Sequence, residues 1–234
     1  MKNLESISII IPACNYEFGI AKTMAGYLSY LKRNFKEYEL IVVCNNCSDN
    51  TYSRALTFAL EHSNVSCLNF PFYIGKGGAV LEGFKQAKNE LIGFVDQDNS
   101  VVPGQFGKLV KAIKGFHIAI ASRNMPDSIL LARQPLYRVA LGKCFGFISE
   151  MLFCHGLSDV TCGAKLFRRK QLHKIMPLVK SKGFEFDTEM LWLAKRNGFM
   201  VTEVGIEWKD SGKTTLGLLE PIRMLAGILK LRLT

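Results

Sequence analysis

The chain is 234 residues long, with 48% hydrophobic, 11% aromatic and 21% charged residues and only 7 prolines. That is the composition of one packed globular domain, and it excludes a disordered, collagen-like or disulfide-stapled chain. Lys and Arg number 30 against 20 acids, and the excess is uneven: residues 1–120 hold 12 cations and 10 anions, residues 121–234 hold 18 and 10. An anionic partner is therefore expected at the C-terminal half.

The apolar run Ile7 to Ile11 predicts a buried strand, followed by a helix whose Thr23, Met24, Tyr27, Leu28 and Leu31 share one face. Leu40 to Val43 is the next strand, with a helix from about Asp49. Ser66 to Phe70, a helix from Gly78 to Lys88, Leu91 to Val95, a helix around Phe106 to Ile113, and Ile118 to Ala121 continue the alternation. Short apolar strands separated by helices predict an α/β chain with a doubly wound, Rossmann-like and mainly parallel sheet. Ligands of such sheets lie beyond the carboxyl ends of the strands. Further on, a glycine turn at Gly163 leads into a short strand, and Phe184 to Glu189 opens a helix with Asp187 in its first turn.

Two later segments mix large apolar residues with charges: 135–156, broken by Arg138, Lys143 and Glu150, and 216–233, broken by Glu220, Arg223, Lys230 and Arg232. Each reads either as a helix lying on a membrane surface or as an amphipathic helix covering the core. No stretch reaches the roughly 18 uninterrupted apolar residues of a spanning helix. The cysteines number 7, an odd and scattered set that predicts free thiols in a reducing compartment. Cys44 and Cys47 read as small loop residues rather than as a zinc or redox pair. The run before Pro12 is too short and too acidic for a signal peptide, so a cytoplasmic location is expected.

The most informative motif is Val95-Asp96-Gln97-Asp98-Asn99-Ser100, two carboxylates one residue apart at the end of a buried strand. A hard divalent cation such as Mg2+ or Mn2+ takes few protein carboxylates and completes its shell with phosphate and water; the plain alternative is a solvated turn with Asp as a helix cap. Gly75-Lys76-Gly77-Gly78 ahead of a helix offers backbone amides and a lysine to a phosphate, although no dinucleotide fingerprint follows the first strand. Ser211 to Thr215 imitates a P-loop, but its first glycine would fall at Glu207, which rejects an ATPase of that kind. Asp159 and Asp187 are candidate acids or bases, and Arg123, Arg133 and Arg138 are spaced to gather around an anion. Basic and aromatic residues do not interleave on one face, so no nucleic-acid partner is expected.

Taken together, IIPACN at 10 to 15, ELIVVCNNCSDNT, GKGGAVLEGFKQA, FVDQDNS, ASR, DVTCGAKLFRR, FEFDTEMLWLA, EVGIEW and GKT resemble glycosyltransferase family 2 in order and spacing over nearly the whole chain, in its dolichol-phosphate mannose synthase and dolichyl-phosphate beta-glucosyltransferase branch. The resemblance implies one GT-A domain over 1–234, its nucleotide-sugar half at 1–120 and its acceptor half, with interfacial helices, at 121–234. It further implies a nucleotide-diphosphate sugar of the GDP-mannose or UDP-glucose type, inversion at the anomeric carbon, and a polyprenyl phosphate acceptor reached from the cytoplasmic face of a membrane. Donor binding falls on Pro12, Cys14, Asn15, Tyr16, Asn45, Lys76, Asp96 and Gln97, and metal binding on Asp96, Asp98 and Ser100. Acceptor phosphate falls on Arg123, Arg133, Arg138 and Lys213, and any base on Asp159 first, then Asp187. The chain departs from the pattern at Cys14, Tyr16, Cys44-Asn45 and Ala121. A family 2 transferase with a saccharide hydroxyl acceptor, or a catalytically silent membrane-surface module, are the competing readings.

Overall fold

The computed structural model describes residues 6–131, 136–210 and 220–233. Strand β1 (Ile7–Ala13) is buried along its whole length, as a run of isoleucines between two helical layers must be. It pairs in parallel with β2 (Tyr38–Asn45) on one side and β4 (Leu91–Val95) on the other, and β2 pairs in parallel with β3 (Val65–Phe70). Beyond β4 the sheet changes character. β7 (Ala164–Arg168) runs antiparallel between β4 and β5 (Ile118–Ser122), and β5 carries β8 (Val201–Gly205) in parallel at the edge, giving the order β3-β2-β1-β4-β7-β5-β8. A strand from the second half of the chain is thus interleaved with strands of the first. A separate parallel pair joins β6 (Ile129–Leu130) to β9 (Glu207–Trp208).

Alternate residues along each strand divide between two cores. One face packs Ile9, Ile11, Leu40, Val42 and Leu166 against α1 (Ile20–Asn34), α2 (Thr51–Leu60) and α4 (Pro103–Ala112). The other packs Ile10, Ile41, Phe94 and Phe167 against α3 (Gly75–Gln86), α5 (Leu136–Phe153), α6 (Arg169–Ile175), α7 (Phe186–Arg196) and α8 (Glu220–Leu233). The expected face of α1 is the buried one, with Thr23, Met24, Tyr27, Leu28 and Leu31 all inward.

The two amphipathic segments have different fates. In α8, Ile228 and Leu231 enter the core formed with Phe145 and Phe153 of α5 and Met190 of α7, so its apolar stripe covers this protein's own core. In α5 only one side does so; Val139, Leu141, Phe147 and Met151 remain exposed, Phe147 at 71%. Among the described residues no helix is long and apolar enough to cross a membrane.

Helix α3 begins three residues before the expected start because its glycines are packing residues. At Gly83 a Cβ would stand 2.6 Å from Ile10 Cγ2, so the helix axis lies as close to β1 as a bare backbone allows. Gly83→Ala is expected to destabilise the fold by about 1–3 kcal/mol through overpacking. Urea denaturation measures this as a lower midpoint with an unchanged slope.

Candidate functional site

The carboxyl ends of β1, β2 and β4 meet in loops fastened to one another by side chain to backbone bonds. Asn15, at φ 47° in the left-handed region that Asn tolerates, accepts from the Ser48 amide at 2.8 Å. The Tyr16 amide donates to Thr51 Oγ1 at 2.6 Å, and the Glu17 amide to Asp49 Oδ2 at 3.1 Å. Gln97 clamps Cys14 at both ends of its amide, accepting from Cys14 N at 2.7 Å and donating to Cys14 O at 3.0 Å. Buried Asn45 accepts from the Ile74 amide at 2.9 Å and so ties β2 to the loop before α3. Pro12 is buried in β1. Cys14, Asn15, Tyr16, Asn45 and Gln97 therefore share one ring of loops, in which Asn45 and Gln97 act as braces.

At the end of β4 the Asp96 amide donates to Gly163 O at 2.9 Å, which extends the β4–β7 ladder by one step. A Cβ at Gly163 would land on the Asp96 carboxylate, so glycine leaves that carboxylate its place. Lys76 Nζ is 2.7 Å from Asp96 Oδ1. Burial works to lower the Lys76 pKa, and the charges of Asp96 and Asp187 outweigh it and hold the amine above its ordinary value. Asp98 Oδ1 accepts from the Ser100 amide at 3.0 Å across Asn99, which is left-handed at φ 58°. Burial and then the Asp98 charge push the Tyr16 hydroxyl up.

Asp96, Asp98 and the Ser100 turn supply hard oxygen donors suited to Mg2+ or Mn2+. Asn99 Oδ1 in the same turn is buried without a hydrogen-bond partner, an oxygen that fits such a site. Among the described residues no group of three or more His, Cys, Asp or Glu side chains could hold a metal by itself, so a cation here would need further oxygens from its ligand.

The glycine-rich turn is not a phosphate cradle. The Gly77 and Gly78 amides donate to the carbonyls of Gly183 and Lys182 at 3.2 and 3.1 Å, and a Cβ at Gly77 would meet Phe186 Cβ at 2.6 Å. These glycines let the 182–183 loop lie against α3, leaving Lys76 as the turn's one charged offering.

Asp159, expected as the first choice of base, is committed elsewhere. Arg123 Nε and Nη2 reach its two oxygens at 2.7 and 2.8 Å, and the Arg123 amide adds a third bond at 2.9 Å. Burial pushes Asp159 up, but the Arg123 charge outweighs it and holds the carboxyl below the usual range. Glu203 on β8 fixes the approach, accepting from Ser158 N, Ser158 Oγ and Asp159 N. Nη1 is the Arg123 nitrogen outside these bonds, and the guanidinium lies 5.5 Å from the Trp208 ring centre. Asp187 is paired with Lys165 at 2.6 Å in a sealed site; burial raises its pKa against the pull of Lys165 and Lys76. Arg133 and Lys213 lie outside the described residues, and of Arg138 only the backbone, in α5, is described.

Sequence reasoning missed Lys165 and Glu203 as site builders. The signal for Lys165 was a lone cation inside the apolar strand AKLF; for Glu203 there was none, because its partners lie 44 and 45 residues away.

The family model "Glycosyl transferase family 2" matches residues 8–176. Dolichyl-phosphate beta-glucosyltransferase ALG5C of Trichomonas vaginalis is 29% identical over 235 residues, spanning 96% of this chain and 70% of that protein. The dolichyl-phosphate beta-glucosyltransferase of Saccharomyces cerevisiae is 26% identical over 247 residues, 97% of this chain and 74% of that one. Among solved structures, glucosyl-3-phosphoglycerate synthase from Mycobacterium tuberculosis, in complex with Mn2+, uridine-diphosphate-glucose and phosphoglyceric acid, superposes with a TM-score of 0.73 at 16% identity. The match covers 97% of this chain and 80% of that chain, and it shows the fold alone.

The Arg123–Asp159 pair has a signed pH signature. A carboxyl held below about 3.9 in the fold contributes stability above that pH and loses it as the pH falls through the folded value. Asp159→Asn is expected to cost about 3–5 kcal/mol at pH 7 by stranding Arg123, and to flatten the decline of the urea midpoint below pH 4. Asp187, with its raised pKa, acts in the opposite direction in both proteins and cancels in the comparison. Equal slopes in the two proteins would contradict the assignment.

Proposed function

The chain belongs to glycosyl transferase family 2 and is a glycosyltransferase of the GT-A fold, and we propose that it moves a hexose, glucose in the first instance, from a nucleotide-diphosphate sugar onto a polyprenyl phosphate of the dolichyl class, with inversion at the anomeric carbon. The relatives named for that transfer support the donor and the acceptor. One observation carries the choice of acceptor: both buried carboxylates open to a base role, Asp159 and Asp187, are engaged by cations. A sugar hydroxyl needs a base to take its proton. A phosphate monoester, with its second pKa near ~6, arrives as an anion and needs none.

In this reading Pro12, Cys14, Asn15 and Tyr16 receive the nucleoside, with Asn45 and Gln97 holding their loops in register. Asp96 and Asp98, with Ser100 completing the turn, would hold the divalent cation. When bound, that ion offsets the charge of the departing nucleoside diphosphate. Lys76 lies beside Asp96 and presents the adjacent positive charge to the pyrophosphate. Arg123 is fixed by Asp159 so that Nη1 is left for the acceptor anion without a rotamer search, and Arg133, Arg138 and Lys213 are the further cations assigned by sequence to the acceptor phosphate. Residues 1–120 then form the donor half and 121–234 the acceptor half of one domain.

The acceptor's tail gives α5 its role. Leu141, Phe147 and Met151 of α5 are exposed, as are Ile129, Leu130 and Leu131 around β6, and in this reading these apolar side chains make peripheral contact with the cytoplasmic leaflet. Nearby cations add about 1 kcal/mol each over anionic lipid. Phe147→Glu/Met151→Glu is expected to reduce sedimentation with phosphatidylserine vesicles several-fold while leaving the unfolding midpoint in place; undiminished binding would remove α5 from the interface.

The activity itself is tested by incubating the protein with Mn2+ and radiolabelled UDP and GDP sugars, with and without polyprenyl phosphate. Label is expected in the organic phase only when the lipid phosphate is present, and Asp98→Asn is expected to abolish it with the fold intact. Label on soluble glycans alone would support the hydroxyl-acceptor reading. No turnover with vesicle binding retained would support the silent module.

A further inference from the structure

Lys165 is the second residue of β7, directly across the ladder from Phe94, on the face covered by α3 and α7. Its side chain is 1% exposed and that of Asp187 is 3%, with Nζ 2.6 Å from Asp187 Oδ1 and 2.8 Å from Cys162 O. A sealed ion pair is a weak source of net stability, because desolvation offsets its attraction and an apolar pair of the same volume does as well or better. Its position points to another task. Lys76 Nζ approaches the same Phe94 ring at 5.9 Å where Lys165 stands at 5.3 Å, and the Asp187 charge reaches Lys76 as well as Lys165. Two lysines thus approach one aromatic ring, each paired with its own carboxylate, Lys165 with Asp187 and Lys76 with Asp96.

We infer that Lys165 is a positioning residue for donor binding: by neutralising Asp187 it keeps Lys76 on Asp96, at the strand end where the pyrophosphate is read to bind. The inference rests on the donor role given to Lys76 above. Asp96 is 34% exposed, so its hold on Lys76 is screened by water, whereas Asp187 is sealed. Coulomb attraction grows several-fold as the effective dielectric falls. An Asp187 that keeps its charge after losing Lys165 has Lys76 as its next cation, and would draw that amine inward, off the strand end. The pair thus acts on recognition without touching the ligand.

The test titrates UDP-glucose in the presence of Mn2+ into the full chain by calorimetry, for the native protein, Lys165→Met, Lys76→Met, Lys165→Met/Lys76→Met and Lys165→Met/Asp187→Asn, with unfolding midpoints measured alongside. Lys165→Met and Lys76→Met are each expected to weaken donor binding about tenfold, their combination no further, and Lys165→Met/Asp187→Asn to return within about threefold of native. The return is the decisive readout, since no buried charge then remains to pull on Lys76. Should Lys165→Met not fold, Lys165→Gln, which keeps a donor for Cys162 O, is read the same way. Folded Lys165→Met or Lys165→Gln with native affinity, or a double variant that stays weak, overturns the inference while the role of Lys76 stands. Unchanged binding by Lys76→Met overturns the donor reading of Lys76, and this inference with it.

Discussion

The site depends on one strand running against its neighbours. Because β7 is antiparallel between β4 and β5, its N-terminal end lies beside the carboxyl end of β4, and the Asp96 amide bonds to Gly163 O just outside the ladder. That single placement brings residues from the second half of the chain to the end of a strand from the first. It sets Gly163 where Asp96 needs room and Lys165 across from Phe94, and it delivers Asp159 to Arg123 at the end of β5. A parallel β7 in the same place would carry the same residues to the opposite end of the strands.

Around that strand the molecule uses two kinds of polar bond for two purposes. The loops after β1 and β2 are fastened by neutral or singly charged bonds to backbone amides, Asn15 to Ser48, Thr51 to Tyr16, Asn45 to Ile74 and Gln97 to Cys14. Such bonds fix backbone position and leave little net charge. The pairs Lys76–Asp96, Lys165–Asp187 and Arg123–Asp159 are all between charged groups, Lys165–Asp187 sealed and the other two partly exposed. Attraction strengthens as water is excluded, so Lys165–Asp187 is held more firmly than the wetter Lys76–Asp96.

Much of the fold was legible because alternation of short apolar runs and helical faces is a local property. Ile7 to Ile11, Leu91 to Val95 and Ile118 to Ala121 all became strands, and the face of α1 was right to the residue. The direction of β7 was not legible, since a five-residue apolar strand reads the same whichever way it pairs. The Gly75 to Gly78 turn was misread for a related reason: a glycine that admits a phosphate and a glycine that admits a neighbouring loop look identical in sequence, and only the Gly183 and Lys182 carbonyls decide between them. For the site, Asp96, Asp98 and Lys76 could be picked out by position relative to a strand end. The engagement of Asp159 could not, because its partner Arg123 is 36 residues away.

The engagement of the acids also orders the chemistry. A carboxylate that accepts two nitrogens of an Arg fork and a backbone amide has most of its lone pairs engaged and its proton affinity lowered, two changes that each weaken it as a base. The same fork loses its rotational freedom, and an Arg held still by one carboxylate presents its remaining nitrogen in one direction. What Asp159 gives up in proton transfer it returns as orientation of Arg123. That is why the proposed acceptor is one that brings its own negative charge, for which the surplus of cations beyond residue 120 supplies an attractive field.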